Sequence, residues 1–162
     1  MKAILPAVLA VTVLACSSEA ATVKTLATHQ AAVQLGAKPV TVTIPLANTA
    51  SRALAIARDP NRHLTLRVEG ISITEQPGIV YDVRIDGVPN AVGVLSFYGV
   101  EESNGKAIAG FPIDEASQRA LSKTSKQLKV TFVPRGLTDT AGRETVAPRG
   151  RPGFTKLVIA EE

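Results

Sequence analysis

The chain has 162 residues and a mass of 17.0 kDa, which suits a single domain. Hydrophobic residues make up 45% and charged residues 20%, a balance typical of a folded chain and not of a disordered one. One Cys and two His exclude an internal disulfide and any metal site built from several imidazoles. The formal net charge of +4 comes from scattered Lys and Arg with no aromatic platform beside them, which argues against a nucleic-acid partner.

The first residues have the pattern of an export signal. Lys2 is followed by an apolar run too short to span a bilayer, and the run ends in small residues directly before Cys16. This order resembles the bacterial lipoprotein signal, in which the Cys is lipidated and becomes the first residue of the mature chain. Residues 1–15 are therefore predicted to be a lipoprotein-type signal peptide, and the protein a lipoprotein anchored at the outer membrane or the periplasmic face. Plain secretion, with cleavage after Ala20 or Ala21, is the alternative.

Residues 16–34 are small and polar and predict a flexible tether, so the folded domain is expected to occupy residues 35–162. Alternating apolar residues predict a strand over 40–46, and Pro45 within it favours a sheet edge. Good helix formers over 48–58 predict a short helix that stops at an Asp-Pro pair.

The rest of the chain alternates with the period of strands. Further strands are predicted over 64–74, 79–85, 91–98, 107–111, 128–134 and 154–160. Gly70 is expected at a bulge, 107–111 is expected to pair back onto 91–98, and Asp114 is expected to cap a brief helix that runs to Leu121. About seven short strands with one or two short helices predict an all-β fold, an antiparallel β-sandwich, with a barrel as the alternative.

No residue pattern in the sequence indicates catalysis. His29 and His63 are far apart and have no partner at ligand spacing, so neither a metal site nor a cofactor is expected. The Cys is assigned to lipid, and no Gly-x-Ser-x-Gly motif occurs. Asp82 and Asp86 lie on one face of a strand about 13 Å apart with Arg84 between them, which indicates a charge-balanced, solvated face. The protein is predicted not to be an enzyme.

Two adjacent aromatic residues form the strongest candidate contact. Phe97 and Tyr98 face opposite sides of a strand, so at most one enters the core and the other is available to a partner. The alternative is that sheet and loop bury both rings. A later loop contains Arg135, Arg143, Arg149 and Arg151, which either meets an acidic partner or lipid headgroups or is an ordinary solvated loop.

Five segments in order resemble a known family. They are Leu-Gly-Ala-Lys-Pro-Val-Thr-Val at 35–42, Leu-Thr-Leu-Arg-Val-Glu-Gly-Ile at 64–71, Pro-Gly-Ile-Val-Tyr-Asp-Val at 77–83, Val-Gly-Val-Leu-Ser-Phe-Tyr-Gly at 92–99 and Val-Thr-Phe-Val-Pro-Arg-Gly at 130–136. The series is similar to the C-terminal β-sandwich domain of tyrosinases and polyphenol oxidases, above all of bacterial tyrosinase-like proteins. The likeness covers Leu35 to Ile159. The family's Lys-Phe-Asp-Val motif stands here as Val80-Tyr81-Asp82-Val83, with the Lys replaced.

The resemblance implies a function through contact with another protein. In that family the oxidase chemistry belongs to a helical domain that holds two copper ions by six His, and this sequence does not contain such a domain. The C-terminal domain packs over the copper site and places a bulky side chain at its mouth, and separate caddie proteins do this with a Tyr. The resemblance thus implies a non-catalytic module that shields or assembles a separately encoded type-3 copper oxidase, with Phe97 or Tyr98 as the plug. The alternative is a structural or interaction module of a surface lipoprotein.

Overall fold

The computed structural model describes residues 23–46, 63–100, 105–121, 126–136, 141–142 and 147–161. Its elements in chain order are β1 (Lys24–His29), β2 (Val33–Gln34), β3 (Val40–Pro45), β4 (Leu64–Ile71), β5 (Ile79–Ile85), β6 (Ala91–Leu95), β7 (Ala107–Ile113), α1 (Glu115–Leu121), β8 (Gln127–Gly136), β9 (Gly153–Phe154) and β10 (Lys156–Glu161). The predicted all-β fold is confirmed, with ten strands in the described ranges where about seven were expected. The signal peptide, Cys16 and the predicted helix over 48–58 lie outside the described residues.

The strands form two four-stranded antiparallel sheets and a short ribbon. Sheet 1 has the order β1-β10-β4-β7, sheet 2 has the order β3-β8-β5-β6, and the ribbon joins β2 to β9. β3 is an edge strand, as Pro45 predicted, because a proline has no N–H to donate to a second neighbour. Contacts of β1 with β3, and of β6 with β7, bring the two pairs of sheet edges together.

The core lies between the two sheets and follows from the alternation of each strand. In β5 the residues Ile79, Tyr81, Val83 and Ile85 are buried, while the residues between them are half-buried or exposed. The Phe132 ring of sheet 2 packs against the Phe154 ring of the ribbon with centroids 5.0 Å apart. The ribbon therefore closes one part of the core that the sheets leave open.

The residues predicted to be a tether, 16–34, include two strands, which corrects the expected start of the folded region at Leu35. β1 pairs with β10 through partners such as Ala27 and Ile159, and β2 pairs with β9. Ala27 is buried with 7% of its surface exposed. Half of the side chains of β1 are Ala or Thr, so the strand shows little hydrophobic periodicity. It is held in the fold by its pairing with β10. Residues 16–22 of the predicted tether lie outside the described ranges.

The expected hairpin between 91–98 and 107–111 is wrong, because β6 and β7 belong to different sheets. β6 pairs with β5, and β7 pairs with β4. The two strands approach across the core, where Gly93 lies so close to the Phe111 ring that a Cβ at Gly93 would collide with it. The packing of an aromatic ring over a glycine thus takes the place of a hydrogen-bonded ladder.

Two local predictions are confirmed by the structure. The register between β4 and β7 shifts between Glu69 and Ile71, and Gly70 at this bulge has φ of 69°. Asp114 caps α1, since its Oδ1 accepts a hydrogen bond of 2.7 Å from the backbone N–H of Ser117, and this bond lowers the pKa of the carboxyl. In the described ranges no helix has the length and apolar character that a membrane crossing requires.

Candidate functional site

The turn that follows β6 carries the most exposed aromatic side chain among the described residues. The backbone N–H of Val100 donates to the carbonyl of Phe97 at 3.2 Å, and Gly99 has φ of 74°. A positive φ at the third residue is what a type II turn requires, and glycine adopts it without strain. Tyr98 and Gly99 are therefore the two central residues of a closed turn.

The sequence left two outcomes open for Phe97 and Tyr98, and the structure has one ring in the core and the other in solvent. Phe97 retains 2% of its exposure, whereas Tyr98 retains 94%. The alternative in which both rings are buried is wrong. β6 ends at Leu95, so the two residues lie in a turn and not in the strand predicted over 91–98. The Tyr98 ring therefore faces solvent.

The base of the turn is fixed by the core below it. The Phe97 ring contacts the Tyr81 ring edge to face, with centroids 5.9 Å apart and an interplanar angle of 81°. The Tyr81 hydroxyl donates a 3.1 Å hydrogen bond to the carbonyl of Gly36, and burial raises the pKa of Tyr81 to about 12. Phe97, the residue before Tyr98, thus cannot move without disturbing the core.

Two polar contacts that the sequence did not reveal also hold this turn. The Gln76 side-chain amide donates to the carbonyl of Phe97 at 3.3 Å, and the backbone N–H of Tyr98 donates to the Ser96 hydroxyl at 3.4 Å. Ser96 is close in sequence and could have been suspected as a turn residue. Gln76 lies in the loop between β4 and β5, and no local pattern connects it with Phe97.

The titratable residues considered in the sequence are dispersed. His29 is half-buried on β1, and His63 is exposed directly before β4, the surface position expected for it at the start of a strand. Within the described ranges, no group of three or more His, Cys, Asp or Glu side chains is placed to hold a metal ion. Asp82 lies in the middle of β5, and Asp86 lies in the turn directly after it.

The charges on β5 are paired differently from the expectation. Asp82 Oδ1 lies 3.5 Å from Nε of Arg135 on β8, and among the described residues no ion pair joins Asp82 to Arg84. The register explains this, because Asp82 pairs with Val133 and so has Arg135 two residues along the neighbouring strand. Arg84 is left in solvent, and no ion pair involves it in the described part of the protein.

The arginine-bearing loop is described only in part. The backbone N–H of Arg149 donates to the carbonyl of Pro77 at 3.0 Å, and that of Arg151 donates to the Thr74 hydroxyl at 3.1 Å. These bonds fasten residues 147–151 to the loop before β5 and leave both arginine side chains exposed. Arg143 lies outside the described residues.

The arrangement offers a fixed, protruding aromatic anchor, which is a means of binding another molecule. Comparison of the chain with family models and with curated proteins gives no match.

Proposed function

We propose that this chain is a non-catalytic domain that binds a separately encoded type-3 copper oxidase and shields or helps to assemble its copper site, with Tyr98 as the contacting side chain. The observation that carries the proposal is the exposure of Tyr98 on a turn anchored by Phe97. An anchor that is already rigid loses little conformational entropy on binding, so a protruding ring on a fixed base suits recognition of a concave site. The choice of oxidase as the partner rests on the resemblance to tyrosinase C-terminal domains.

In this proposal Tyr98, and not Phe97, is the plug. Phe97 packs against Tyr81 and has 2% of its surface exposed, so its ring can reach a partner only if the core opens. Tyr98 can enter a partner's cleft with its ring and present its hydroxyl at the far end. The domain itself supplies no copper ligand in this scheme, and the copper chemistry belongs to the partner.

The test uses the purified domain and a purified type-3 copper oxidase. We expect the domain to bind the oxidase and to lower its rate of diphenol oxidation, because Tyr98 occupies the mouth of the copper site. Tyr98→Ala should relieve the inhibition. Ile108→Ala is the matched control, because Ile108 is also an exposed apolar residue, 56% exposed, but lies on β7 at the edge of sheet 1. Absence of binding together with an unchanged rate contradicts the proposal.

We also propose that the domain acts outside the cytoplasm, attached to the membrane through lipid on Cys16. Cys16→Ser should then move the protein from the membrane fraction to the soluble fraction, and mass spectrometry of the mature N-terminus should find a lipidated Cys. A soluble wild-type protein that begins after Ala20 or Ala21 would indicate plain secretion. A lipidated protein that leaves the oxidase unaffected would instead favour a structural module of a surface lipoprotein.

A further inference from the structure

The outer faces of the two sheets differ in what covers them. On sheet 1, Val158 and Ala160 of β10 point away from the core, because their neighbours Leu157 and Ile159 point into it. Both are nevertheless buried, with 2% and 0% of their surface exposed. The middle of the outer face of sheet 1 is therefore closed to a partner.

The charged side chains of sheet 1 are also paired with one another. Glu69 Oε2 lies 3.0 Å from Nζ of Lys156, and Glu69 Oε1 lies 3.5 Å from Nε of Arg67. At the edge of the sheet, Lys24 lies 3.9 Å from Glu161. An incoming charged group would have to compete with these pairs.

The outer face of sheet 2, by contrast, is exposed to solvent. Its outer residues Thr41, Thr43, Arg84 and Lys129 are exposed. Across the described ranges, neither Arg84 nor Lys129 takes part in an ion pair. Arg135 is paired with Asp82, but 56% of its side chain remains exposed while Asp82 shows only 19%. Asp86, directly after β5 and opposite Lys129, is exposed as well, so the face carries three cations and two carboxylates. Two of the three cations, Arg84 and Lys129, have no ion-pair partner among the described residues.

The register brings the two unpaired cations together. Arg84 pairs with Thr131 across β5 and β8, and Lys129 lies two residues from Thr131 on the same face. Arg84 and Lys129 are therefore diagonal neighbours, for which the usual spacing is about 7–8 Å. They line one shallow groove with the hydrogen-bonded hydroxyls of Thr41 and Thr131, which are 2.9 Å apart. Asp86 is the one carboxylate among the groove's lining residues.

Tyr98 lies close to an outer residue of sheet 2. Gly93, Leu95 and Phe97 point into the core, so the residues between them, Val94 and Ser96, point outward from sheet 2. Tyr98 lies in the turn after β6, and its backbone N–H bonds to the Ser96 hydroxyl. From Ser96 to Ala91, which pairs with Arg84, is about five residues along the sheet, or about 17 Å. One protein interface of ordinary size, about 800 Å² on each partner, covers that length.

We infer that the outer face of sheet 2 is a docking surface for an acidic protein, with Tyr98 as the apolar anchor and Arg84 and Lys129 as the binding groups for Asp and Glu carboxylates. The inference rests on the proposed function only for the identity of the partner. Guanidinium and ammonium groups without partners gain charge-assisted hydrogen bonds when carboxylates reach them, and the adjacent threonine hydroxyls supply further donors. The surface would thus select a partner whose copper-site rim is acidic.

The first arm of the test requires no oxidase. Hexaglutamate peptide is titrated into the isotopically labelled domain, and the amide signals are followed by NMR. We expect saturable shifts at Arg84, Lys129 and Thr131, and their loss in the double variant Arg84→Gln, Lys129→Gln. Shifts that are absent, or that are equally large at Lys24 on sheet 1, overturn the inference. A DNA oligonucleotide that binds the same face more tightly than hexaglutamate overturns the choice of an acidic protein.

The second arm measures affinity for the copper oxidase. The double variant should bind about tenfold more weakly, and the difference should shrink as salt rises, since exposed charge pairs are screened. Lys24→Gln is the control for loss of a cation and should bind as the wild type does. Full affinity of the double variant, together with loss of binding in Tyr98→Ala, overturns the inference and leaves the proposed function standing. Saturable hexaglutamate shifts without any binding to the oxidase overturn the proposed function and leave the acidic docking surface standing.

Discussion

The Phe97 ring meets the Tyr81 ring edge to face at 5.9 Å, so the residue that precedes the exposed Tyr98 is part of the core. The stability of the turn therefore depends on Phe97, whereas the proposed binding depends on Tyr98. Phe97→Ala should lower the free energy of unfolding by about 3–5 kcal/mol, because it removes a buried aromatic ring and leaves a cavity. Urea unfolding followed by circular dichroism measures the change.

Tyr98→Ala is the matched comparison, since it removes a ring that is 94% exposed. The free energy of unfolding should stay within about 0.5 kcal/mol of the wild type. A destabilised Tyr98→Ala protein would mean that the ring packs within the domain and is not held ready for a partner.

The approach of β6 to β7 depends on the absence of a side chain at Gly93. A Cβ there would collide with the Phe111 ring, so Gly93→Ala should destabilise the domain by about 1–3 kcal/mol through overpacking. Gly110→Ala on β7 is the control, because the nearest atom to its new Cβ would be Thr65 Cγ2 at 3.5 Å, an ordinary contact. Thermal unfolding of the two variants should give a lower midpoint for Gly93→Ala alone. Equal midpoints would show that Phe111 can move aside.

The N-terminal strand β1 is expected to be part of the cooperative fold. Ala27 is buried and pairs with Ile159 of β10. Ala27→Asp would place an uncompensated charge in the core and should cost about 3 kcal/mol or more. Gln30→Asp, in the exposed segment after β1, adds the same charge without burial and should unfold like the wild type. An Ala27→Asp protein of normal stability would restore the view of this segment as a tether.

The elements predicted best from the sequence are those whose buried residues have large apolar side chains. β5 alternates the buried Ile, Tyr, Val and Ile with Val80, Asp82 and Arg84, and its bounds of Ile79–Ile85 match the predicted strand. β1 was missed because half of its residues are Ala or Thr, and its pairing with β10 joins opposite ends of the described chain. The assignment of β6 and β7 to different sheets likewise depends on Phe111 packing over Gly93, which no local pattern encodes.

The candidate site was predictable to the same extent. Adjacent aromatic residues in an extended segment cannot both point into one core, and this rule drew attention to Phe97 and Tyr98 but did not decide whether either ring is exposed. The outer face of sheet 2 was not predictable, because it depends on the register of β8 against β5. That register places Arg135 beside Asp82 and leaves Arg84 without a carboxylate partner in the described part of the fold.

The cap of α1 gives a test at acid pH. Hydrogen bonds from Ser117 lower the pKa of Asp114 in the folded protein, so this carboxylate stabilises the fold above its unfolded pKa. The contribution is lost as the pH falls through the lowered value. Asp114→Ala should lower the stability at neutral pH, because the variant has no side-chain oxygen to accept the hydrogen bond from the Ser117 N–H. The gap between wild type and variant should close in strong acid, and a gap that is constant with pH would assign the effect to something other than the charge.

Tyr81 gives the corresponding test at alkaline pH. Its pKa is raised by burial from 10.0 to about 12, so folding favours the protonated phenol. The stability linked to this group is fully present below pH 10 and is lost as the pH rises from there through about 12. The variant Tyr98→Phe leaves Tyr81 as the one tyrosine of the two in the chain, so tyrosinate absorbance then reports on Tyr81 alone. We expect its ionisation to coincide with unfolding measured by circular dichroism. Ionisation near pH 10 in a protein that stays folded would show that the Tyr81 hydroxyl is accessible to water and is not held by the Gly36 carbonyl.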